Sequence, residues 1–117
     1  MANELYAKSH SDPLRDADND AKAVQKTASR ISLDFIESQI ADKEFKTSRT
    51  TPSLTILVMT MKNGFVVIGK SAPADPLNFD ESLGKKFADE DAIRQLWPMF
   101  AFSLRDQMTD TRYYGNY

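Results

Sequence analysis

The sequence predicts an α+β domain: a short N-terminal helix, an antiparallel β-hairpin that a third or an intersubunit strand extends, and a C-terminal helix kinked at Pro98. Three observations predict it. Asn63-Gly64 separates two runs rich in β-branched and large apolar residues, within Leu54 to Ala72, and this dipeptide between such runs is a strong hairpin signal because both central residues of a type I′ turn need positive φ. Leu33, Ile36 and Ile40 recur at spacings of three and four, the period of one buried helix face. Leu83, Phe87, Ala92, Ile93, Leu96 and Trp97 form a second, broader stripe.

Taken in order, residues 1–30 read as a flexible or partly helical arm. They are mostly Ala, Asp, Asn, Lys and Ser, with Leu5, Tyr6, Leu14 and Val24 as scattered large apolar groups, too little apolar surface to offset the entropy of ordering them. The run Ala21 to Ser29 suits a docked helix anchored by Val24. Ser32 then serves as an N-cap, with Asp34 in the first turn where a carboxylate meets the positive end of the helix dipole. Lys43 to Thr51 is polar, with Phe45 as its anchor.

If Lys62 faces Phe65, the hairpin carries Leu54, Ile56, Val58 and Thr60 with Phe65 and Val67 on one face. Leu57, Met59 and Met61 share the other with Val66 and Ile68. Both faces are then apolar, so both need covering. Two strands are marginal as an isolated sheet, so a third strand comes from the region Glu44 to Thr51 or the edge pairs between subunits. Pro73 and Pro76 mark a loop, Asn78 with Glu81 three positions on has the form of a helix N-cap, and Pro98 ends or kinks the helix that follows. Residues 105–117 read as a mobile polar tail whose apolar content is Tyr113, Tyr114 and Tyr117.

The domain proper thus spans residues 31–104, small enough for self-association to be a natural source of further burial. The absence of cysteine removes disulfides, thiolate nucleophiles and cysteine metal sites. The single histidine, His10, lies outside the core region and does not make a metal site by itself. With 15 basic and 17 acidic residues and a net charge of −2, the overall field is too weak to steer the chain onto nucleic acid or an anionic membrane. No apolar run approaches the roughly 18 residues of a membrane span, and the N-terminus lacks a signal-peptide layout.

For chemistry, Asp89, Glu90 and Asp91 are consecutive on a helix. Lys85 and Lys86 lie four residues before the first two and Arg94 lies four after Glu90, the layout of a solvated, ion-paired face. No Gly-x-Ser-x-Gly elbow, P-loop or dinucleotide fingerprint occurs. Gly69 within a strand marks a bulge or the close passage of a covering helix, and Gly84 within a helix marks tight packing or an approached surface. The better candidate site is the segment Lys70 to Phe79: a basic side chain, the Ser71 hydroxyl, a Pro-bounded loop, and a helix start at Asn78 whose free amides favour an anion. Arg94 and Trp97 add a charge and a stacking surface if they turn toward that loop, as Phe79 does from within it.

The stretch Lys62-Asn-Gly-Phe-Val-Val-Ile-Gly-Lys-Ser-Ala-Pro, the helix start Asn78-Phe-Asp-Glu, then Ala92-Ile and Leu96-Trp-Pro, together resemble a family of small tailed-phage accessory proteins, the gene-49 and gene-66 family. The resemblance covers about Ile31 to Leu104. It implies a phage or prophage gene expressed in the host bacterial cytoplasm. It transfers no catalytic residue, metal or cofactor onto this chain.

With no catalytic constellation recognised, the expectation is a non-enzymatic, homo-oligomeric binding protein of counter-defence or host takeover. One mechanism sequesters a small nucleotide signal with Lys70, Ser71, Asn78, Arg94 and a ring from Phe79 or Trp97. The alternative masks a host protein through an exposed apolar patch. A nucleotide hydrolase, or DNA binding through Lys85, Lys86 and Arg94, ranks lower.

Overall fold

The structure, a computed structural model, describes residues 12–113. What the sequence suggested for residues 1–11 and 114–117 lies outside the described residues. The elements are helices α1 (Pro13–Ala23) and α2 (Leu33–Ser38), strands β1 (Ile40–Thr47), β2 (Thr55–Met61) and β3 (Val66–Ser71), a 3-10 turn at Pro76–Asn78, and a long helix α3 (Glu81–Tyr113). The strands form one antiparallel sheet in the order β1-β2-β3, so the third strand is intramolecular.

Helix α1 begins upstream of the run Ala21 to Ser29. Asp12 caps it, its Oδ1 accepting the Leu14 and Arg15 amides at 3.1 and 3.2 Å, and Pro13 at the first helical position presets φ. Its anchors are Leu14, buried in the core, and a set of polar contacts, rather than Val24, which is 74% exposed. Asp18 accepts from Arg30 Nη1 at 2.7 Å and from the Leu33 amide at 3.1 Å, and Arg15 reaches Asp34 and Glu37 on α2. Helix α2 is capped by Ser32, whose Oγ accepts the Phe35 amide at 3.0 Å. It stops at Ser38, so Ile40 opens β1 instead of closing the helix.

The hairpin exists where the sequence placed it, but its turn differs. The Met61 amide donates to the Phe65 carbonyl at 2.8 Å and the Gly64 amide to the Met61 carbonyl at 2.9 Å. The loop therefore has three residues, Lys62-Asn63-Gly64, closed by glycine. Gly64 alone has positive φ, 89°, among the described residues, which excludes a two-residue type I′ turn. The extra residue shifts the register by one: Thr60 pairs with Val66, Met59 with Val67, and Val58 with Ile68. A one-residue shift moves a strand's side chains to the other face. Leu57, Met59 and Met61 thus share the covered face with Val67 and Gly69, while Ile56, Val58 and Thr60 share the other with Val66, Ile68 and Lys70.

Helix α3 covers that first face, burying Ala88, Ala92, Ile93 and Leu96 against Leu57, Met59, Met61 and Val67. It also protects the β3 edge, because Asp91 Oδ2 accepts the Lys70 amide at 3.0 Å and Gln95 Nε2 donates to the Ile68 carbonyl at 2.8 Å. The other margin, β1, is charged at Asp42, Lys43, Glu44 and Lys46, a common protection of exposed edges. Pro98 lies inside α3, which runs on to Tyr113, so residues 105–113 are helical where the sequence suggested a polar tail.

Candidate functional site

Lys70 projects from the open face of the sheet near the end of β3, and Ser71, half-buried, pairs with Thr55 across the ladder. Asp75 caps the short 3-10 turn, accepting the Leu77 amide at 3.0 Å, and this turn lifts Leu77 to 91% exposure. Asn78 is exposed at the end of that turn. It does not cap α3. Asp80 does, its Oδ1 accepting the Leu83 amide at 2.9 Å.

Phe79 packs on Gly84, where a Cβ would lie 3.3 Å from its ring and would overlap the Thr55 hydroxyl. Tight packing is thus the role of this helical glycine. With Pro52, Pro76 and the hydroxyl residues Thr50, Thr51 and Ser53, Phe79 lines an open hollow of about 350 Å³. Lys70, Ser71, Asn78 and Phe79 therefore share one end of the molecule.

Arg94 and Trp97 do not join them. Trp97 lies thirteen residues beyond Gly84 on α3, about 20 Å along the helix. Its Nε1 donates to the Ile31 carbonyl at 3.0 Å, fastening the segment before α2 to the helix. There it lines a different cleft, of about 560 Å³, between α1 and the second half of α3, whose walls include Leu14, Ala17, Ala21, Leu104 and Met108. Arg94 is exposed on the α3 surface.

The acidic run on α3 is not the uniformly solvated face that its spacing suggests. Asp89 forms an ion pair with Lys43 of β1 at 2.6 Å, and Lys85 pairs with Glu81 and lies 5.6 Å from the centre of the Phe45 ring. Glu90 is 5% exposed, and its Oε2 accepts no hydrogen bond. Burial pushes its carboxyl above the usual range. The charges of Lys86 and Arg94 oppose that shift, and those of Asp12 and Asp89 add to it.

A carboxyl with a raised folded pKa binds a proton more tightly in the native than in the unfolded chain, so stability falls as pH rises through the window between the two values. Glu90→Gln is accordingly expected to raise stability at pH 7 by about 1 kcal/mol, with the advantage shrinking toward pH 4. Urea unfolding at both pH values checks this, and an equal or inverted difference would count against the burial cost.

Among the described residues no group of three or more His, Asp or Glu is arranged to hold a metal ion, and no described helix is long and apolar enough to cross a membrane. The arrangement offers a cation, a hydroxyl, an amide side chain and an aromatic ring around an open margin.

Residues 31–108 match the model of the Phage protein (N4 Gp49/phage Sf6 gene 66) family. The chain belongs to this family. It is therefore a phage-type protein with an α+β fold, and the family segment begins at Ile31, whose carbonyl holds Trp97, and runs through the sheet into the second half of α3. No curated protein and no solved structure matches the chain.

Proposed function

We propose that this family member is a non-enzymatic binding protein that serves the phage in counter-defence or host takeover by sequestering a small nucleotide signal in a homo-oligomer. The observation that carries this reading is the place of Lys70. It stands on an apolar sheet face that no described element covers, and Ser71, on the opposite face of the same strand end, lies with Asn78 and Phe79 at the same end of the protomer. A site open on one protomer gains a wall when a second copy covers that face. Lys70 then meets phosphate, the Ser71 and Asn78 side chains supply hydrogen bonds, and Phe79 offers a ring for a base. Trp97 is left out of this ligand set, its indole N–H being committed to Ile31. Arg94, on the same helix, is a flanking charge rather than part of the pocket.

Native mass spectrometry of protein purified without denaturation reads stoichiometry and retained ligand together. The expected result is an oligomer carrying a phosphate-containing nucleotide, with Lys70→Glu reducing retention about tenfold or more at unchanged thermal stability. Ligand-free protein that binds no member of a mononucleotide, dinucleotide and cyclic-nucleotide panel would overturn the reading.

A second reading, masking of one host polypeptide, is favoured by Phe102, which is 76% exposed on α3 with Met99 and Met108, each 46% exposed, on the same half of the helix. A single host chain retained in place of a nucleotide, and lost on Phe102→Ala, would support it.

A further inference from the structure

The sheet face turned away from α3 is apolar where a one-sided antiparallel sheet normally turns polar. Its centre is built by Val58 and Ile68, paired across the ladder, with Ile56 on one side and Val66 on the other. Val66 and Ile68 are each 48% exposed. Charge is confined to the margins and is ordered along the strands. Lys46 and Lys70 lie in the row of Ile56, Glu44 in the row of Val58, and Asp42 in the row of Thr60.

We propose that this face is a homodimer interface, in which two copies of the chain stack sheet on sheet about a two-fold axis perpendicular to the strands and passing through the row of Glu44, Val58 and Ile68. Charge selects this axis. A two-fold axis along the strands lays Lys46 on the partner's Lys70 and sets Glu44 on the partner's Ile68, so like charges meet and carboxylates cover apolar surface. The perpendicular axis lays each strand over its own copy in the opposite sense. Val58 then meets the partner's Val58, Ile68 meets the partner's Ile68, Ile56 meets the partner's Thr60, and Lys46 faces the partner's Asp42 at both ends of the β1 margin, while at the β3 margin the Lys70 stem lies over the partner's Val66 with its ammonium reaching out to solvent.

Glu44 meets its own copy on this axis. Lys46 of the same chain, 3.5 Å away, offsets that repulsion, and the angle of about 30° between packed sheets separates the margins.

The footprint is small. Three strands about 4.8 Å apart over about 20 Å give a few hundred Å² per partner, below the roughly 800 Å² of a standard interface. The dimer is therefore a weak one, strengthened by any ligand that bridges its margin. The two edges play no part, since Asp91 and Gln95 occupy backbone groups of β3 and charges line β1.

Sedimentation velocity of the full chain from about 1 to about 500 µM is expected to show a monomer–dimer equilibrium. Ile68→Lys, at a half-exposed position that leaves the core untouched, places two cations on the axis and weakens association at least about tenfold with an unchanged circular dichroism spectrum. Lys46→Asp and Asp42→Lys each weaken it, the double exchange restores it to within about threefold, and Glu44→Gln tightens it. A monomer across the whole range would overturn the proposal. So would a dimer indifferent to Ile68→Lys, as a helix-mediated contact would be, or a double exchange no better than its single components.

Discussion

Replacing Gly69 with alanine is expected to remove about 3 kcal/mol of stability, the upper end of what overpacking a core costs, and to lower the melting temperature by more than about 12 °C. The cause is space rather than backbone conformation, since Gly64 alone has positive φ among the described residues. A Cβ built at Gly69 would overlap the carbonyl of Ala88 on α3 and would lie 3.1 Å from the Ala92 Cβ. The obstacle is helix backbone, so no rotamer change at Ala88 relieves it, and even glycine there leaves the carbonyl in place. The helix must lift from β3, stretching the Gln95 bond to Ile68 and the Asp91 bond to Lys70. Gly64→Ala gives the contrast. It meets nothing within 4 Å but strains a φ of 89°, for a loss of about 1 kcal/mol. Equal losses at the two positions in urea unfolding would show that close helix approach is not what Gly69 provides.

That pair of glycines also marks how much the chain reveals in advance. Two apolar runs around Asn63-Gly64 suffice to announce a hairpin, because β-branched density and a turn dipeptide are local properties. The register is not local: either a two-residue or a three-residue loop is compatible with the dipeptide, and the choice decides which face Val66, Val67 and Ile68 join. The actual loop leaves Val66 and Ile68 on the open face with Lys70. Strand β1 was half visible through Phe45, but its exposed, charged residues carry little of the alternation that marks a strand. It forms because β2 offers it a ladder. Helix α1 had a legible start in Asp12-Pro13, which composition alone obscured. Glu90 was misleading for a related reason, since i,i+4 spacing to Lys86 and Arg94 describes an exposed face only if nothing lies over it.

The candidate site divides along the same line. Lys70, Ser71, Asn78 and Phe79 are close in sequence and stay together in space, whereas the contribution of Trp97 depended on which way one face of a long helix turns. The Ile31 carbonyl settles that direction, and the family segment includes both residues. What ties α1 and the start of α2 to one another and to α3 is thus a short set of polar contacts around residues 30–33, and their strength can be measured.

The buried carboxylate of Asp18 is the centre of those contacts, and Asp18→Asn is expected to lower stability at pH 7 by about 2–3 kcal/mol. Asp18 is 5% exposed. Burial alone would raise its pKa, but the hydrogen bond from Arg30, the Leu33 amide and the charges of Arg30 and Arg15 outweigh that and hold the carboxyl below its ordinary value. A group with a depressed folded pKa is ionised in both states above the unfolded value of about 3.9, and its contribution is then fully present. Below that pH the unfolded chain takes up a proton that the native chain refuses, so stability falls and the contribution is lost as pH drops through the folded pKa. The asparagine variant cannot titrate there, so the gap between it and the natural protein should be full at pH 7 and should close on acidification below about pH 4. This is opposite in sign to the effect at Glu90. Because Asp18 joins α1 to Arg30 and to the first amide of α2, its replacement should also speed hydrogen exchange at Leu33 more than at Leu57 in the sheet centre. A stability gap that is the same at pH 7 and pH 3, or a Leu33 amide no faster than before, would mean that α1 is held by the apolar contact of Leu14 and not by charge.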